Sequence, residues 1–531
     1  MSNSTPVSVS RHTLEAILLA VAFAIAHTQS PLYFSNQNQY LLHGAAISGH
    51  GHLEHDWLAN TRDPTPLFSL FVAASDATLG PWLLQVAYFM LLIGYFLAAR
   101  WLVRAVPGFP DTRAARLSFA AIFTAAHAAI LRWLSVEITG VDYPWYLQAG
   151  VAAQYLLGPG IQPSAFGVLL LVSLAAFAHG RPLLAAALAA SACWFHSTYL
   201  LPAGLFVLAF LLELTRQSRD RMAAITAATA LVVVAPVIAF TIWRFDPFDE
   251  NARRAAYTLA QIRIPHHSVI TRWFDVVAGV QVAWVVFALF LLRGTSLGRV
   301  MLAAGISGTI LTLYQHTTGS NQLALAFPWR ISVLLVPVAT AVIAAKLLAW
   351  KPPGRVAERV AVGVLLALVA GGVVVSACDL GYPMIDESEL YDYVRANAGP
   401  DDVYLLPVQF PNVGSGRGAV SNTFTPPPRP DPNTNQIPVD LQRFRLVTGA
   451  RIYVDFKSVP YAPAEVEEWH RRMLLASELT VNGTWNAPDR HKQLKDEGIT
   501  HVVTPKKKPI TADYLQEVHR DGAYIVYRVK S

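Results

Sequence analysis

The feature that most constrains this chain is a series of long apolar stretches in residues 1–378. A helix needs about 20 mostly apolar residues to cross a hydrocarbon core of about 30 Å. The stretches meet or approach that length and predict about eleven transmembrane helices. The expected spans are residues 13–30, 79–99, 117–135, 163–179, 182–196, 197–213, 222–243, 273–292, 299–317, 328–346 and 360–377.

Charged residues make up only 14% of the chain, whereas soluble globular proteins carry about 25%. The deficit lies in residues 1–378, because residues 379–531 have an ordinary soluble composition. The expected fold class is therefore a polytopic all-α membrane bundle, residues 1–378, followed by a soluble α/β domain, residues 379–531. In that domain we expect helices at 385–398, 463–476, 488–497 and 511–519, and strands at 402–408, 451–456, 500–504 and 523–529.

Arginine in the short loops between spans indicates the orientation. Loops 100–116, 214–221 and 347–359 are rich in Arg, and such loops stay in the cytoplasm. The N-terminus is then cytoplasmic and the C-terminal domain extracytoplasmic, in a plasma (inner) membrane. Residues 13–30 could alternatively be a cleaved signal peptide. Because the net charge of +6 reflects these loops, we expect a lipid bilayer and no nucleic acid as partner.

The first outer loop, residues 31–66, interleaves acidic and apolar side chains, as a loop does at a membrane surface. Glu54, Asp56 and Asp63 are candidates for a general base that deprotonates an acceptor hydroxyl. Carboxylates also bind divalent metals such as Mg²⁺ or Mn²⁺, for which Asp56 and Glu54 are the candidate ligands. The alternative is structural, since Asp56 could start a turn and Asp63 precedes a proline.

The second outer segment, residues 244–272, breaks the charge rule, because it lies outside and yet is rich in Arg and His. An anionic ligand would explain this, since the planar Arg fork matches phosphate oxygens. Local salt bridges to Asp246, Asp249 and Glu250 are the alternative. The basic residues of the segment are Arg244, Arg253, Arg254, Arg263, His266, His267 and Arg272. A second basic group, in the soluble domain, comprises Arg443, Arg445, Arg451 and Lys457.

Several ionisable residues stand at or near the ends of spans. Such groups are costly at membrane depth and usually face a cavity or a partner. His196 and His316 lie at span ends and Arg330 opens a late span, while Glu137 and Asp142 follow an earlier one. We expect these side chains to line one cavity. Hydrogen bonding between helices is the alternative for His196.

Five motifs make the chain resemble the GT-C class of integral-membrane glycosyltransferases. They are HDWLANTRDPTP after the first span, GIQPSAFG and WFHSTYLLP in the middle spans, AFPWR before a late span, and ELYDYVRANAGPDDVYLLP at the start of the soluble domain. The resemblance runs along the whole chain. It implies a polyprenyl-phosphate sugar donor, inversion at the anomeric carbon, and an acid in the first outer loop that acts as base, often with a metal.

Carried onto this chain, the resemblance makes Asp56 the first candidate for the base, with Glu54 and Asp63 competing. Arg254, His266 and Arg330 become the candidates for the donor phosphate. The acceptor would be a lipid, glycan or protein of the cell envelope, on the outer face of the membrane.

Two other classes of function stay open from the sequence. A lipid or glycan transporter, or flippase, would also need polar residues between helices, although the internal repeats common in transporters are not evident here. A non-catalytic envelope-assembly protein could share the architecture without the chemistry. Substitution of the outer acids would abolish function in the enzyme and leave it intact in the assembly protein.

Overall fold

The computed structural model describes residues 11–27, 31–158, 160–246, 251–381, 388–408 and 439–531. Most of this described chain is helical, and a five-stranded sheet lies in its C-terminal part. Asp249 and Glu250, two of the expected salt-bridge partners of the second outer segment, lie outside the described residues.

Six described helices are long and apolar enough to cross a membrane. They are Trp82–Val103, Ser197–Arg216, Asp220–Phe245, Ser296–Thr318, Asn321–Trp350 and Arg355–Ala377. A seventh span results if Arg113–Ala125 and Ala129–Thr139, which meet at an angle of 47°, cross together. These helices make the chain a multi-pass membrane protein.

The predicted count of eleven spans is not confirmed. The remaining predicted spans do coincide with apolar helices, but these helices are short. They are Arg11–Ala26, Pro163–Ala178, Pro182–Phe195 and Val276–Leu291. At about 1.5 Å per residue, the 14 residues of Pro182–Phe195 reach only about two thirds of the way across a hydrocarbon core. Hydropathy locates apolar segments but does not show where a helix stops.

Small residues let the helices pack closely. Helix Pro182–Phe195 packs against Val168–Ala178 and Asp220–Phe245. Its buried small residues are Ala185, Ala186, Ala189, Ala190 and Ala192. At Gly372 an added Cβ would collide with the backbone of Ile25, so this glycine brings two helices into contact. Close backbone approach through small residues is a main source of helix association in membranes.

The C-terminal sheet has the strand order β2-β1-β3-β5-β4. The strands are β1 Val403–Leu405, β2 Arg451–Ile452, β3 His501–Pro505, β4 Leu515–Arg520 and β5 Tyr524–Val529. Strand β1 pairs in parallel with β2 and β3, whereas β5 runs antiparallel to β3 and β4. Helices Ser388–Asn397, Pro463–Asn482 and Arg490–Asp496 complete the domain. The predicted α/β character of this part is confirmed.

The predicted helix at 511–519 is wrong. Residues Leu515–Arg520 form edge strand β4, which pairs with β5 and carries a bulge between Glu517 and His519. An edge strand exposes much of its surface, so its side chains can be mostly polar and resemble a solvated helix in sequence. Pairing with the buried strand β5 decides the conformation, and that pairing is a tertiary interaction.

Short helices build the layer between the spans and the sheet. In the outer loops they are Gln37–Tyr40, Leu42–Ile47, Leu53–His55, Leu58–Asn60, Pro66–Thr78, Pro144–Leu147, Ala252–Tyr257, Thr258–Arg263, Pro265–Ser268 and Ile270–Trp273. Val439–Arg443 and Phe444–Thr448 are their counterparts in the C-terminal part.

The C-terminal domain rests on the first outer loop. The His52 backbone N–H donates to the carbonyl of Gly449 at 2.8 Å, and the His52 ring Nε2 lies 3.2 Å from the carbonyl oxygen of Ala398. Gly51 approaches Gly449 so closely that a Cβ on Gly51 would lie 2.5 Å from the Gly449 Cα. Both glycines have positive φ, which other residues adopt at a cost. Gly51 and His52 therefore hold the C-terminal part of the chain against this loop.

Candidate anion-binding site

A half-buried arginine without a carboxylate partner marks the candidate site. Arg330 lies in the short helix Pro328–Ile331, at the start of a late span. Its Nε donates to Gln154 Oε1 at 3.3 Å, and its Nη1 donates to His196 Nε2 at 3.3 Å and to the Thr198 hydroxyl. The guanidinium also lies 4.8 Å from the ring centroid of Phe327. All these partners are neutral, so the charge of Arg330 is not compensated by them.

Two further cations belong to the candidate site. Arg263 comes from the second outer segment, and Lys457 comes from the C-terminal part of the chain. Arg263 ends the π-helix Thr258–Arg263 and is only 8% exposed. Its Nη2 donates to the backbone carbonyl of Lys457, and its guanidinium lies 4.8 Å from the Phe456 ring centroid. Burial lowers the pKa of Arg263, and no described residue accepts a hydrogen bond from its Nε.

Lys457 is the second member of this pair, and its side chain is half-buried. Within the described chain, its ammonium forms no ion pair and no hydrogen bond. Burial, and next the charge of Arg263, lower the pKa of Lys457 to about 7. The ammonium group is thus poised between its charged and neutral forms near neutral pH, and an anion would favour the charged form.

Tyrosine hydroxyls lie between the two groups of cations. Tyr40 and Tyr461 lie close enough to affect each other's charge, and Gln39 Nε2 donates to the Tyr461 hydroxyl at 2.5 Å. Burial raises the pKa of both tyrosines, so they stay protonated and can donate. Both tyrosines line a small cavity, together with Pro64 and Thr65 of the first outer loop.

Two histidines flank the cations from the second outer segment. Burial, with a smaller effect of the neighbouring His267, holds the pKa of His266 well below its ordinary value. Burial likewise lowers the pKa of His267 to about 4, although its Nδ1 hydrogen-bonds the Ala152 carbonyl at 2.7 Å. Both imidazoles are therefore neutral at pH 7, and they add polarity to the pocket without adding charge.

The nearest acid is already engaged by another cation. Asp455 lies close enough to Lys457 to affect its charge, but its Oδ2 accepts from Arg445 Nη1 at 2.5 Å and its Oδ1 accepts from Ser458 N at 2.5 Å. Arg330 and Arg263 thus both lie within electrostatic range of Tyr40 and Tyr461, Lys457 lies within range of Arg263, and no free carboxylate appears among these interactions in the described chain. We call this group of residues the phosphate pocket. This combination of groups suits an anion such as phosphate.

Of the residues proposed for the donor phosphate, two belong to this pocket. Arg330 is a member of it, His266 lies within electrostatic range of Arg263 and Lys457, and His196 contacts Arg330 directly. Arg254 does not join them: its side chain is 72% exposed and faces Glu467 at 3.9 Å. Its segment supplies Arg263 to the pocket instead.

Asp56 occupies a closed network rather than a cavity. The side chain is fully buried, and its Oδ2 accepts from Arg445 Nε at 2.9 Å and from Ile452 N at 3.2 Å. Its Oδ1 accepts from the backbone N–H groups of Leu58 at 2.9 Å and Ala59 at 3.2 Å. Four donors therefore occupy both oxygens. The geometry favours a positioning role for Asp56, which ties the first outer loop to the soluble domain, and its catalytic role stays a prediction.

The two other candidate bases lie in different surroundings. Glu54 is exposed and faces His55 at 3.3 Å. Asp63 is half-buried, and its Oδ1 accepts from Thr65 N at 2.8 Å, whereas its Oδ2 has no hydrogen-bond partner among the described residues. Because the next two residues, Pro64 and Thr65, line the tyrosine cavity, Asp63 is the candidate base closest in sequence to the pocket lining.

The described residues do not supply a set of ligands for the predicted metal site. Among the described residues, no three His, Cys, Asp or Glu side chains form a group that could hold a metal ion. Asp56 is saturated by N–H donors, and Glu54 faces His55 at the surface. These residues do not fit a divalent ion, and we derive no step through one.

The remaining expected cavity residues do not share the pocket. Glu137 and His316 are exposed. Asp142 is buried in an ion pair with Arg132, at 2.9 Å, and also accepts from Trp145 N at 3.1 Å. The ion pair between Asp142 and Arg132 therefore has a structural role.

Sequence reasoning did not select four residues that shape the pocket. Arg263 and Lys457 were each one of several basic residues in a cluster, and clustering gave no reason to prefer them. Tyr40 and Tyr461 carried no signal, because their segments meet only in the folded chain. The one available clue was the density of basic residues in both segments.

Comparison with known proteins gives few matches. Residues 430–476 match the model of a family described as Domain of unknown function (DUF6798), and this segment includes Arg445, Asp455 and Lys457. No curated protein matches the chain. The fold is similar to the crystal structure of ArnT from Cupriavidus metallidurans in the apo state, with 13% identity, 98% of each chain covered and a TM-score of 0.46. At so low a TM-score, the similarity carries no argument about function.

Proposed function

We propose that this chain is a membrane glycosyltransferase of the GT-C type. It would move a sugar from a polyprenyl-phosphate carrier to an acceptor of the cell envelope, at the outer face of the plasma membrane. The observation that carries the proposal is the pocket around Arg330, which combines uncompensated cations with hydroxyl donors where a span begins. A lipid phosphate would reach such a site from the outer leaflet.

In this proposal Arg330, Arg263 and Lys457 hold the phosphate. As the sugar leaves, negative charge grows on the phosphate oxygens, and preorganised cations stabilise it. Tyr40 and Tyr461 add neutral hydrogen-bond donors. The two faces of the pocket belong to different parts of the chain, since Arg330 comes from the bundle and Lys457 from the soluble domain. The soluble domain is therefore part of the site.

Asp63 is our preferred base for the acceptor hydroxyl. It keeps one oxygen without a hydrogen-bond partner in the described structure, whereas both oxygens of Asp56 are occupied. Proton transfer to a positioned carboxylate contributes about 10²- to 10⁴-fold to a rate. Asp56 would act indirectly, by holding the first outer loop against the soluble domain.

Turnover tests the proposal. The protein in lipid nanodiscs is incubated with an envelope lipid extract, and release of polyprenyl phosphate is followed by mass spectrometry. We expect release by the wild type and a loss of about 10²- to 10⁴-fold in Asp63→Asn. Asparagine keeps the hydrogen bond from Thr65 N, so the local turn should survive.

The matched control is Glu54→Gln, an exposed acid of the same loop, which should retain full turnover. Wild-type turnover in Asp63→Asn would remove Asp63 from the mechanism. Transbilayer movement of intact lipid-linked sugar, without release of polyprenyl phosphate, would instead identify a flippase.

A further inference from the structure

A second cavity lies on the outer side of the bundle, next to the phosphate pocket. It is lined by Trp145, Tyr146, Trp273, Asp275 and Gln281, together with small residues of the 150–153 segment. Three aromatic rings, a carboxylate and an amide thus face one space. None of these side chains has a place in the phosphate site.

Two polar atoms of this cavity have no hydrogen-bond partner among the residues that the structure describes. Trp273 is only 5% exposed, and its indole Nε1–H has no acceptor there. Asp275 uses Oδ1 to accept from Ala278 N at 3.0 Å, where it caps helix Val276–Leu291, and its Oδ2 makes no hydrogen bond within the described chain. A buried donor without an acceptor is unfavourable by about 1–3 kcal/mol, which a ligand oxygen would relieve.

One short segment forms the wall between the two cavities. Ala152 and Ala153 line the aromatic cavity, while on the other side the Ala152 carbonyl accepts from His267 Nδ1 at 2.7 Å. The following residue, Gln154, accepts from Arg330 Nε at 3.3 Å. The φ angles of Ala152 and Ala153 are 60° and 51°, in the left-handed region that is unfavourable for residues with a Cβ. The backbone of Ala152 and Ala153 is therefore strained, and this short segment has contacts to both sites.

The chemistry of the lining distinguishes between possible occupants. Trp and Tyr are common at membrane interfaces, so the rings alone would fit a lipid chain equally well. A lipid chain would, however, leave the Asp275 carboxylate and the Trp273 N–H unpaired in an apolar contact. A sugar ring presents C–H groups to aromatic faces, hydroxyl donors to a carboxylate and oxygen acceptors to an indole N–H.

We propose that this cavity is a carbohydrate subsite that holds one sugar residue beside the phosphate pocket. Asp275 accepts hydrogen bonds from sugar hydroxyls, Trp273 donates to a sugar oxygen, and Trp145 and Tyr146 cover the ring. The inference rests on the proposed function in one respect: the phosphate of the same ligand occupies the pocket around Arg330.

The test compares two ligands that share a phosphate and differ in the sugar. Binding of methyl phosphate and of a panel of hexose and pentose 1-phosphates is measured by calorimetry on the full-length protein in nanodiscs. We expect at least one sugar phosphate to bind wild type 10-fold or more tightly than methyl phosphate. Trp273→Phe removes the N–H, and Asp275→Asn removes the charge while asparagine keeps the helix cap. Both variants should bring the affinity ratio close to one.

Trp82→Phe is the matched control, because Trp82 is 75% exposed, and it should leave the ratio unchanged. Equal binding of all ligands by the wild type would overturn the carbohydrate subsite and leave the phosphate pocket standing. Binding of sugar phosphates without methyl phosphate, unaffected by Arg330→Gln, would support the subsite and count against the phosphate pocket. Binding of neither ligand would contradict both.

Discussion

Arg445 is buried and Arg330 is half-buried, and the groups that surround the two guanidinium groups differ in charge character. Arg445 is 3% exposed and lies between two carboxylates, Asp56 at 2.9 Å and Asp455 at 2.5 Å. Arg330 contacts an amide, an imidazole, a hydroxyl and an aromatic ring. Two carboxylates of the fold neutralise the charge of Arg445. The charge of Arg330 has no counterion among its contacts in the described chain.

The comparison separates structure from binding in a protein with many basic residues. A buried ion pair that loses one partner leaves an uncompensated charge, so its residues are needed for folding. A cation that is partly withdrawn from water and has no counterion is unfavourable in the empty protein, and an anionic ligand lowers that penalty. Pairing, rather than burial or local charge density, therefore identifies the candidate site. Each of the following experiments tests whether a given residue belongs to a paired, structural group or to the proposed phosphate site.

The largest effect is expected at the neutralised arginine. Asp56→Ala removes one counterion of Arg445 and strands backbone donors, and it should lower the free energy of unfolding by about 3–5 kcal/mol. Thermal denaturation in nanodiscs, with Glu54→Ala as the exposed control from the same loop, would measure this. Equal melting temperatures for the two variants would show that the Asp56–Arg445 pair does not hold the domains together.

The next effect is expected at the uncompensated arginine. Arg330→Gln removes a charge-assisted contact to phosphate, worth about 1.5–3 kcal/mol, and should weaken polyprenyl-phosphate binding by roughly 10- to 100-fold. Native mass spectrometry of nanodisc-released protein gives the bound fraction. The melting temperature of the empty variant should not fall, because no ion pair is lost. A fall in melting temperature as large as that of Asp56→Ala would show that Arg330 is needed for folding.

A smaller effect is expected from Lys457, through pH. Its pKa is lowered to about 7, and only the ammonium form attracts phosphate. Affinity should therefore be full below pH 7 and fall as pH rises above 7, by roughly 3- to 10-fold up to pH 8.5. Lys457→Arg stays charged and should abolish this decline.

Because the phosphate itself titrates near pH 6, the informative quantity is the difference between wild type and Lys457→Arg at each pH. Parallel profiles for the two proteins would show that Lys457 does not contact the ligand.

The smallest effect is expected at Arg254. This side chain is 72% exposed, and its contact with Glu467 is a surface ion pair, so Arg254→Gln should change stability by less than about 0.5 kcal/mol. Polyprenyl-phosphate affinity should match the wild type in the binding assay used for Arg330→Gln. A loss comparable to that of Arg330→Gln would extend the phosphate site to the exposed face and weaken the contrast.

The sequence was sufficient for the coarse architecture, a series of apolar helices followed by a part with a sheet, because each of these signals was local. Apolar length marked the helices, and a change of composition marked the α/β part of the chain. The errors also have local causes. Helix Pro182–Phe195 is apolar but short, and strand β4 is polar because it lies at a sheet edge.

The candidate site was only partly predictable, because its residues are brought together by the tertiary structure. Asp56 and Arg445 are 389 positions apart, and nothing local shows that one neutralises the other. Arg254 and Arg263 lie in one basic segment, and the π-helix Thr258–Arg263 ends with Arg263 turned into the pocket. Arg330 was found because an ionisable residue at a span end is unusual by itself.

The most direct test of the central claim is electron cryomicroscopy of the protein in nanodiscs with added polyprenyl phosphate. Phosphate density within hydrogen-bond distance of the Arg330 guanidinium, and near Arg263 and Lys457, is the expected result. Phosphate density beside Arg254 or another exposed basic residue, with the Arg330 pocket empty, would contradict the account.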